Sequence, residues 1–497
     1  MENSKLFNVY SSLNKQEAKR FYRMVQSSYQ KEHRILRLTS YMIKHHGQWG
    51  KTKYWKKDKI YHAVFGKDTP YNDLKLRETY SGLYTELKRF IMQEELKSDD
   101  FFAQLYLVRS LRKRKANKAY SAERGKLQER LNQHGAQDAE FYQKSFLVAK
   151  EDRLHHGQQQ LRVFDKALQE MLDALDAFYF SLKLRESCEM LNLERIQGKE
   201  YKRPFLDDLV ALLERENAEQ GLSSSVEIYL TIYRSLTEGD EIYFDRMEGH
   251  LERLEGVFTE AERRGVFTYM LNFCISKVNQ GQQAYYPKLL DLYLLGVEKG
   301  LILDHNDSLH HNHYKSMVTI AIRMERYELA ESILEDYRHL IHPNWQENAY
   351  FLNLSDIRFA QKQYDLVLDT LNRVEFTDGR MAASAKKTQL QTYYHLREET
   401  SLPYLINAIK IFIKRNKDLP EMYKEYYLNF VKAFQRLVDI DWKQDYVGRN
   451  KLIEKMHQIN AYVEDNPMFD KVWLRSQIVR LNNELDLSLN FDRPTPS

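Results

Sequence analysis

Three groups of side chains in this 497-residue sequence have types and spacings that could do chemistry. His305, His310, His311 and His313 fall beside Asp304 and Asp307. Imidazole and carboxylate groups in one loop suit Zn2+, which takes three or four such ligands at about 2 Å. Adjacent histidines such as His310 and His311 point to different sides of a helix, so this spacing also fits a polar loop between helices. Glu454-x-x-His457 has the i, i+3 step of a di-iron ligand pair. That centre needs two such pairs and two further glutamates, and Asp152-x-x-His155 is the only approximation to the second pair. The third group is basic. Lys51, Lys53, Lys56, Lys57 and Lys59 interleave with Tyr54 and Trp55, and Arg109, Arg112, Lys113, Arg114, Lys115 and Lys118 crowd the segment 109–118. Such charges suit a phosphate backbone, and flat rings stack on exposed bases. They equally suit an acidic protein surface, this chain's own acidic body included, or solvated helix faces.

Motifs for phosphate and acyl chemistry are missing. The sequence contains no G-x-x-x-x-G-K-[ST], G-x-G-x-x-G, G-x-S-x-G or H-E-x-x-H. With 18 Gly and 9 Pro, a glycine-rich phosphate cradle has little raw material, and the many tight turns of a sandwich or barrel have less. The expectation is an all-α protein that is not an enzyme and carries no cofactor.

The net charge of +4 conceals two opposed halves. Residues 1–130 carry 29 Lys and Arg against 14 Asp and Glu, a net of +15, while 131–497 carry a net of −11. A basic head on an acidic body suggests two surfaces with different jobs. No apolar run approaches the roughly 20 residues needed to span a bilayer, the greasiest stretch being Leu289–Val297. The first residues have no basic region followed by an apolar one, and Cys188 and Cys274 stand alone. Together these predict a cytoplasmic protein with neither disulfide framework nor membrane contact.

Helices must position these groups. Phe164, Leu168, Met171, Leu175, Tyr179 and Leu182 step by three and four, which predicts one buried stripe. Downstream, Gly198, Gly221, Gly239, Gly281, Gly300, Pro343, Gly379, Pro403 and Pro420 punctuate segments of helical length. A longer period runs through Phe164, Leu206, Phe244, Tyr286, Tyr327, Tyr364 and Leu405, spaced by 37 to 42 residues, each followed at +3 and +7 by apolar residues. One helical face thus recurs about every 40 residues. The tyrosines Tyr229, Tyr233, Tyr243, Tyr269, Tyr285, Tyr293, Tyr314, Tyr350, Tyr393 and Tyr394 mostly sit at buried spacing, with packing as one reading and a partner groove as the other.

Arg326-Tyr-Glu-Leu-Ala330, with Leu334, Tyr337 and Pro343, resembles the second-helix half of a tetratricopeptide repeat. Gln363-Tyr-Asp-Leu-Val367, with Leu371 and Val374, repeats it 37 positions later. In the first-helix half Val318 and Ala321 fit, and Ser355 and Arg358 stand at the matching places of the next unit. The resemblance is to tetratricopeptide-like α-solenoids and is strongest over 310–376. It implies protein interaction as the activity.

At the other end, helices are predicted at Lys15–Gln30, Lys31–His45, Lys57–Phe65 and Asp73–Glu95. Leu76, Tyr80, Leu83, Leu87 and Phe90 form the buried stripe of the last, with Lys75, Arg77, Ser81 and Lys88 outward. The segment 56–90 resembles the helix-turn-helix half of winged-helix domains in tetratricopeptide-containing bacterial regulators. Phe101–Val108 runs on into Arg109–Lys118 as a helix, where that resemblance implies a β-wing. The expected architecture is a small basic helical domain over 1–130, a tetratricopeptide-like array of helix hairpins over 131–465, and a capping helix with a frayed tail over 466–497. The expected function is a scaffold or adaptor holding a protein partner in a helical-repeat groove, its oligomeric state open. The rival is a nucleic-acid-binding regulator that uses Lys51, Lys53, Trp55, Lys56, Lys57, Lys59, Lys75, Arg77, Lys88, Arg112, Lys113, Arg114 and Lys115, with the array as partner sensor. Those residues serve an acidic protein surface equally well.

Overall fold

A computed structural model describes residues 4–31, 33–158, 166–197, 200–219, 221–251, 254–375, 379–487 and 489. Among these no β-strand occurs; isolated bridges join Leu309 to Leu303 and to Ile341. The chain is all-α and divides into two compact units, Met1–Leu182 and Lys183–Ser497. Phe164, Gly198 and the tail 490–497 lie outside the described residues.

The first unit holds α1 (Lys5–Ser11), α2 (Lys15–Ser28), α3 (Arg34–Lys44), α4 (Lys57–Phe65), α5 (Asp73–Ser98), α6 (Asp100–Lys113), α7 (Asn117–Asn132), α8 (Ala139–Gln158) and the first half of α9 (Lys166–Gln197). Side-chain caps set the starts. Asn14 and Glu17 form a reciprocal capping box on α2, Asn72 caps α5 and Asp99 caps α6. Helix α3 packs on α2, α4 and α5, and Phe21, Leu38, Met42, Tyr61, Leu83 and Leu87 fill the core between them. A second core, with Leu105, Val108, Leu127, Leu131 and Val148, joins α6, α7 and α8. The expected boundary after 130 therefore falls inside α7, one residue short of the buried Leu131. The helix expected over 101–118 is interrupted: α6 ends at Lys113, and Lys115 turns the chain at φ 58° before α7 begins.

One predicted stripe is corrected. Leu168, Leu175 and Tyr179 of α9 are 37–46% exposed. The buried face is instead made of Ala167, Ala174 and Ser181, at seven-residue steps, followed by Leu184. Small side chains allow close approach of the backbone, and that turns the larger residues outward.

The second unit continues from α9 through α10 (Leu206–Glu219), α11 (Ser224–Glu238), α12 (Glu241–His250), α13 (Leu254–Val257), α14 (Glu260–Asn279), α15 (Tyr285–Glu298), α16 (His311–Arg323), α17 (Tyr327–Asp336), α18 (Pro343–Ala360), α19 (Tyr364–Leu371), α20 (Gly379–His395), α21 (Leu402–Arg415), α22 (Glu421–Lys443), α23 (Arg449–Asp465) and α24 (Lys471–Glu484). Neighbours pair as hairpins: α11 with α12, α14 with α15, α16 with α17, α18 with α19, α20 with α21, α22 with α23. Leading helices also pack on the next leading helix, α16 on α18, α18 on α20, α20 on α22 and α22 on α24. This arrangement is compatible with a helical solenoid.

The 40-residue period marks the returning helices. Leu206, Tyr327 and Tyr364 are the first residues of α10, α17 and α19, and Phe244 and Tyr286 lie within the first turn of α12 and α15. The returning helix α21 is out of register. The buried face of α21 is Leu402, Ile406, Ile409 and Ile413, so Ala408 of the expected face is exposed. The hairpin turn itself recurs. Arg326, Gln363 and Glu398 each donate a backbone N–H five residues back, to Ala321, Arg358 and Tyr393, around Glu325, Lys362 and Arg397 at φ 54–62°. That is the Schellman turn, built here on non-glycine residues. Seven of the ten tyrosines considered above are buried, among them Tyr314, whose hydroxyl donates to the Leu334 carbonyl.

The hairpin packing makes a prediction of opposite signs. A Cβ on Gly296 of α15 would stand 2.7 Å from Phe267 Cε1 of α14, whereas Gly265, in the same helix as Phe267, has open space around it. Gly296→Ala should lower stability by about 1–3 kcal/mol through overpacking. Gly265→Ala should raise it by up to about 1 kcal/mol through helix propensity. Thermal denaturation of the two variants side by side checks both signs.

Candidate functional site

Helix α16 shows how one sequence serves two faces. Tyr314, Met317, Val318 and Ala321 are buried, and the complementary positions Asn312, Lys315, Ser316, Thr319 and Arg323 repeat at three and four residues on another face. The neighbouring leading helices do the same with Trp345, Ala349 and Asn353 on α18, and Arg380 and Ser384 on α20. These faces, with Asn279 of α14, Tyr423 and Tyr427 of α22 and Phe469 before α24, enclose a groove of about 890 Å3. Ligand sites commonly have volumes of this order.

Polar bonds tie the wall together. Lys315 Nζ donates to Ser384 Oγ at 2.8 Å, and Thr388 donates to Asp356 Oδ1 at 3.2 Å, linking α16, α18 and α20. The carboxylate of Asp470, which enters α24 at φ 51°, is paired with Lys387, lies 3.6 Å from Arg323 and accepts from Gln391 at 3.2 Å. Burial pushes the Asp470 carboxyl up, but the adjacent Lys387 and Arg323 charges and the Gln391 amide bring it below the ordinary value. Aromatic rings line the rest. The Arg380 guanidinium lies 4.8 Å over the Tyr423 ring, and Phe469 packs on Tyr427 at 4.4 Å between centroids. Asn353 is 2% exposed, and its Oδ1 has no hydrogen-bond partner among the described residues.

A second cavity, of about 470 Å3, opens where α18, α20 and α22 end. Its floor is Asp441, 2% exposed, which accepts from Tyr394, from Arg480 at 2.8 Å and from Arg397 at 3.2 Å. His395 lies parallel to Tyr364 at 4.6 Å, with Trp473 edge-on at 5.9 Å. Burial, with Arg480 beside it, lowers the His395 imidazole to about 4.

The residues expected from sequence are distributed differently. Lys51, Lys53, Lys56, Lys59, Lys75 and Lys88 are exposed, and none pairs with a carboxylate among the described residues. Lys57 and Arg77 meet on Asp73, at 3.0 and 2.6 Å. Lys113, Arg114 and Lys115 are exposed at the turn of a separate hairpin, α6–α7. Two of the thirteen are corrected. Trp55 is 2% exposed, packed edge-on to Phe7 with its indole N–H on the Gln48 carbonyl, so no base can stack on it. Arg112 is 9% exposed and bonds Glu151 at 2.7 Å, because Glu151 itself is buried and needs its charge matched.

The histidine loop leads into α16, and His310 and His311 line the groove. His310 caps α16 by accepting from the Asn312 N–H, and Asp304 Oδ1 accepts from the N–H groups of Asn306 and Ser308. Asp152 is engaged by Arg124 and Tyr120, and His155 stacks on Tyr120 at 3.9 Å. Among the described residues no three His, Cys, Asp or Glu side chains are grouped to hold a metal, and no helix is long and apolar enough to cross a membrane. No protein-family model matches the chain, and neither a curated protein nor a solved structure matches it.

The groove residues escaped the sequence reading because each is a lone polar side chain on an apolar-rich helix. The available signal was the second stripe of α16, Asn312, Lys315, Thr319 and Arg323.

The His395 environment sets a pH dependence. Its folded value of about 4 lies below the ordinary histidine value of 6.5, so between them the unfolded chain binds the extra proton. Stability should fall as pH drops from 6.5 to 4, by at most about 3 kcal/mol from this residue. His395→Phe should flatten that part of the curve, as measured by denaturant unfolding across the range.

Proposed function

We propose that this chain is a non-enzymatic protein-interaction scaffold or adaptor whose hairpin array, tetratricopeptide-like in kind, holds a segment of a partner protein in the groove along α14, α16, α18, α20, α22 and α24. The observation that carries this reading is the groove of about 890 Å3, lined by polar side chains from successive leading helices: Asn312, Lys315 and Thr319 of α16, Asn353 of α18 and Ser384 of α20. The recurring returning-helix phase and Schellman turns support the tetratricopeptide-like reading.

A photo-crosslinking residue at Thr319, in the groove, should capture a discrete partner protein in native cells. The same residue at Tyr446, 90% exposed and outside the groove, should not. Equal capture at both positions, or none at Thr319, contradicts the reading.

The exposed lysines of the first unit support a second reading, a nucleic-acid-binding regulator. In that case the full chain binds duplex DNA at about 50 mM salt with a linear log–log salt dependence. Replacing Lys56, Lys59 and Lys75 with Gln should reduce the slope by about 1 for each lost phosphate contact. Absence of binding at that salt ends this reading.

A further inference from the structure

The second cavity, of about 470 Å3, lies within the second unit and shares no lining residue with the groove. Its charged lining is Lys362, Arg397, Asp441 and Arg480, and their bonding capacity is used unequally. Arg480 is fully engaged, with Nε on Gln477 at 3.0 Å, Nη1 on Glu484 at 2.8 Å and Nη2 on Asp441 at 2.8 Å. Asp441 is met on both oxygens, Oδ2 by Arg480 and Tyr394 and Oδ1 by Arg397. Arg397 gives it one N–H, at 3.2 Å, of the five that a guanidinium holds, and its side chain is 55% exposed. Lys362 is exposed and pairs with no carboxylate among the described residues. Two cations therefore keep open donors.

Their backbone positions are a second observation. Lys362 and Arg397 are the left-handed residues of two successive Schellman turns, at φ 62° and 54°, where glycine is the usual choice. A side chain there strains the backbone, and such strain persists where the side chain has a use. Glu325 holds the same place in the preceding turn and does not line the cavity.

The remaining wall is aromatic. Tyr364 and His395 stack at 4.6 Å and 3°, while Phe359 and Trp473 stand edge-on to His395 at 5.7 and 5.9 Å. His395 makes no hydrogen bond among the described residues, and neither of its nitrogens is among the buried unpartnered atoms, so both keep accessible surface. An anion without a ring leaves this wall uncovered, and a ring without an anion leaves the two cations unmatched. The volume suits a small molecule.

We propose that this cavity binds a small-molecule anion carrying a flat ring, the ring against Trp473 and His395 and the anionic group on Lys362 and Arg397. Asp441 is a positioning residue, which holds Arg397 by one N–H and leaves its other donors to the ligand. A nucleoside phosphate and an aromatic carboxylate share this chemistry.

Isothermal titration calorimetry on the full chain tests it, with adenosine monophosphate and naphthoate as the two arms. Adenosine and naphthamide are the uncharged comparisons, inorganic phosphate and acetate the ringless ones. At least one ring-bearing anion should bind about tenfold more tightly than its uncharged and ringless counterparts, and weaken as salt is raised. The arm that binds assigns the source. Lys362→Gly should lose about tenfold in affinity while its melting temperature rises, because glycine relieves the left-handed turn. A lysine that serves only the turn would give that rise with affinity unchanged. Arg397→Gln should lose affinity as well, with circular dichroism melts separating lost binding from lost fold. Absence of binding in both arms, equal binding of the uncharged or ringless compounds, or unchanged affinity in Lys362→Gly each overturns the proposal. The Thr319 crosslink concerns the groove alone, so the two readings stand or fall separately.

Discussion

The Asp470 carboxylate ties together helices that are far apart in sequence. Arg323 ends α16, Lys387 and Gln391 sit on α20, and Asp470 itself opens α24, so one side chain links positions separated by up to 147 residues. A charge so placed must be matched, since an uncompensated carboxylate away from water costs several kcal/mol. The helices that supply the match are thereby held at a set spacing, and the groove they enclose keeps its width.

The same arrangement is repeated below it. Asp441 gathers Tyr394, Arg397 and Arg480 from α20, the following turn and α24, and Asp356 gathers Lys315 and Thr388. Hydrophobic burial alone would let leading helices slide, because it has no direction. Directional bonds between α16, α18, α20, α22 and α24 fix the register. Apolar faces supply the bulk of the stability, and the polar seam decides which side chains reach the groove. The Arg358 side chain shows the economy of this plan: it stands where a small residue is usual in the resembling family, and donates to Thr370 and, at 3.2 Å, to the Leu366 carbonyl of the partner helix.

What could be read in advance followed from what is local. Helix α4 and the starts of α10, α17 and α19 were legible because caps, breakers and i, i+3, i+7 steps are short-range signals. The α9 stripe was misplaced because size competes with hydrophobicity, and Ala167, Ala174 and Ser181 won the buried face. In α21 Leu402 opens the helix and shifts the buried register by one step from the face at Leu405 and Ala408. Trp55 and Arg112 look like surface contacts within their basic runs, yet Phe7 and Glu151 bury them from 48 and 39 residues away. The groove was least legible, since Lys315, Asn353 and Arg380 become a site only when three hairpins stack.

The central claim is that a ligand sits along the leading helices and not on the returning ones. Hydrogen–deuterium exchange of the full chain, with and without the partner protein captured by the Thr319 crosslink, tests it most directly. The account predicts slower amide exchange in α16, α18 and α20, with α17, α19 and α21 unchanged. Protection confined to the returning helices, or to the first unit, would contradict it.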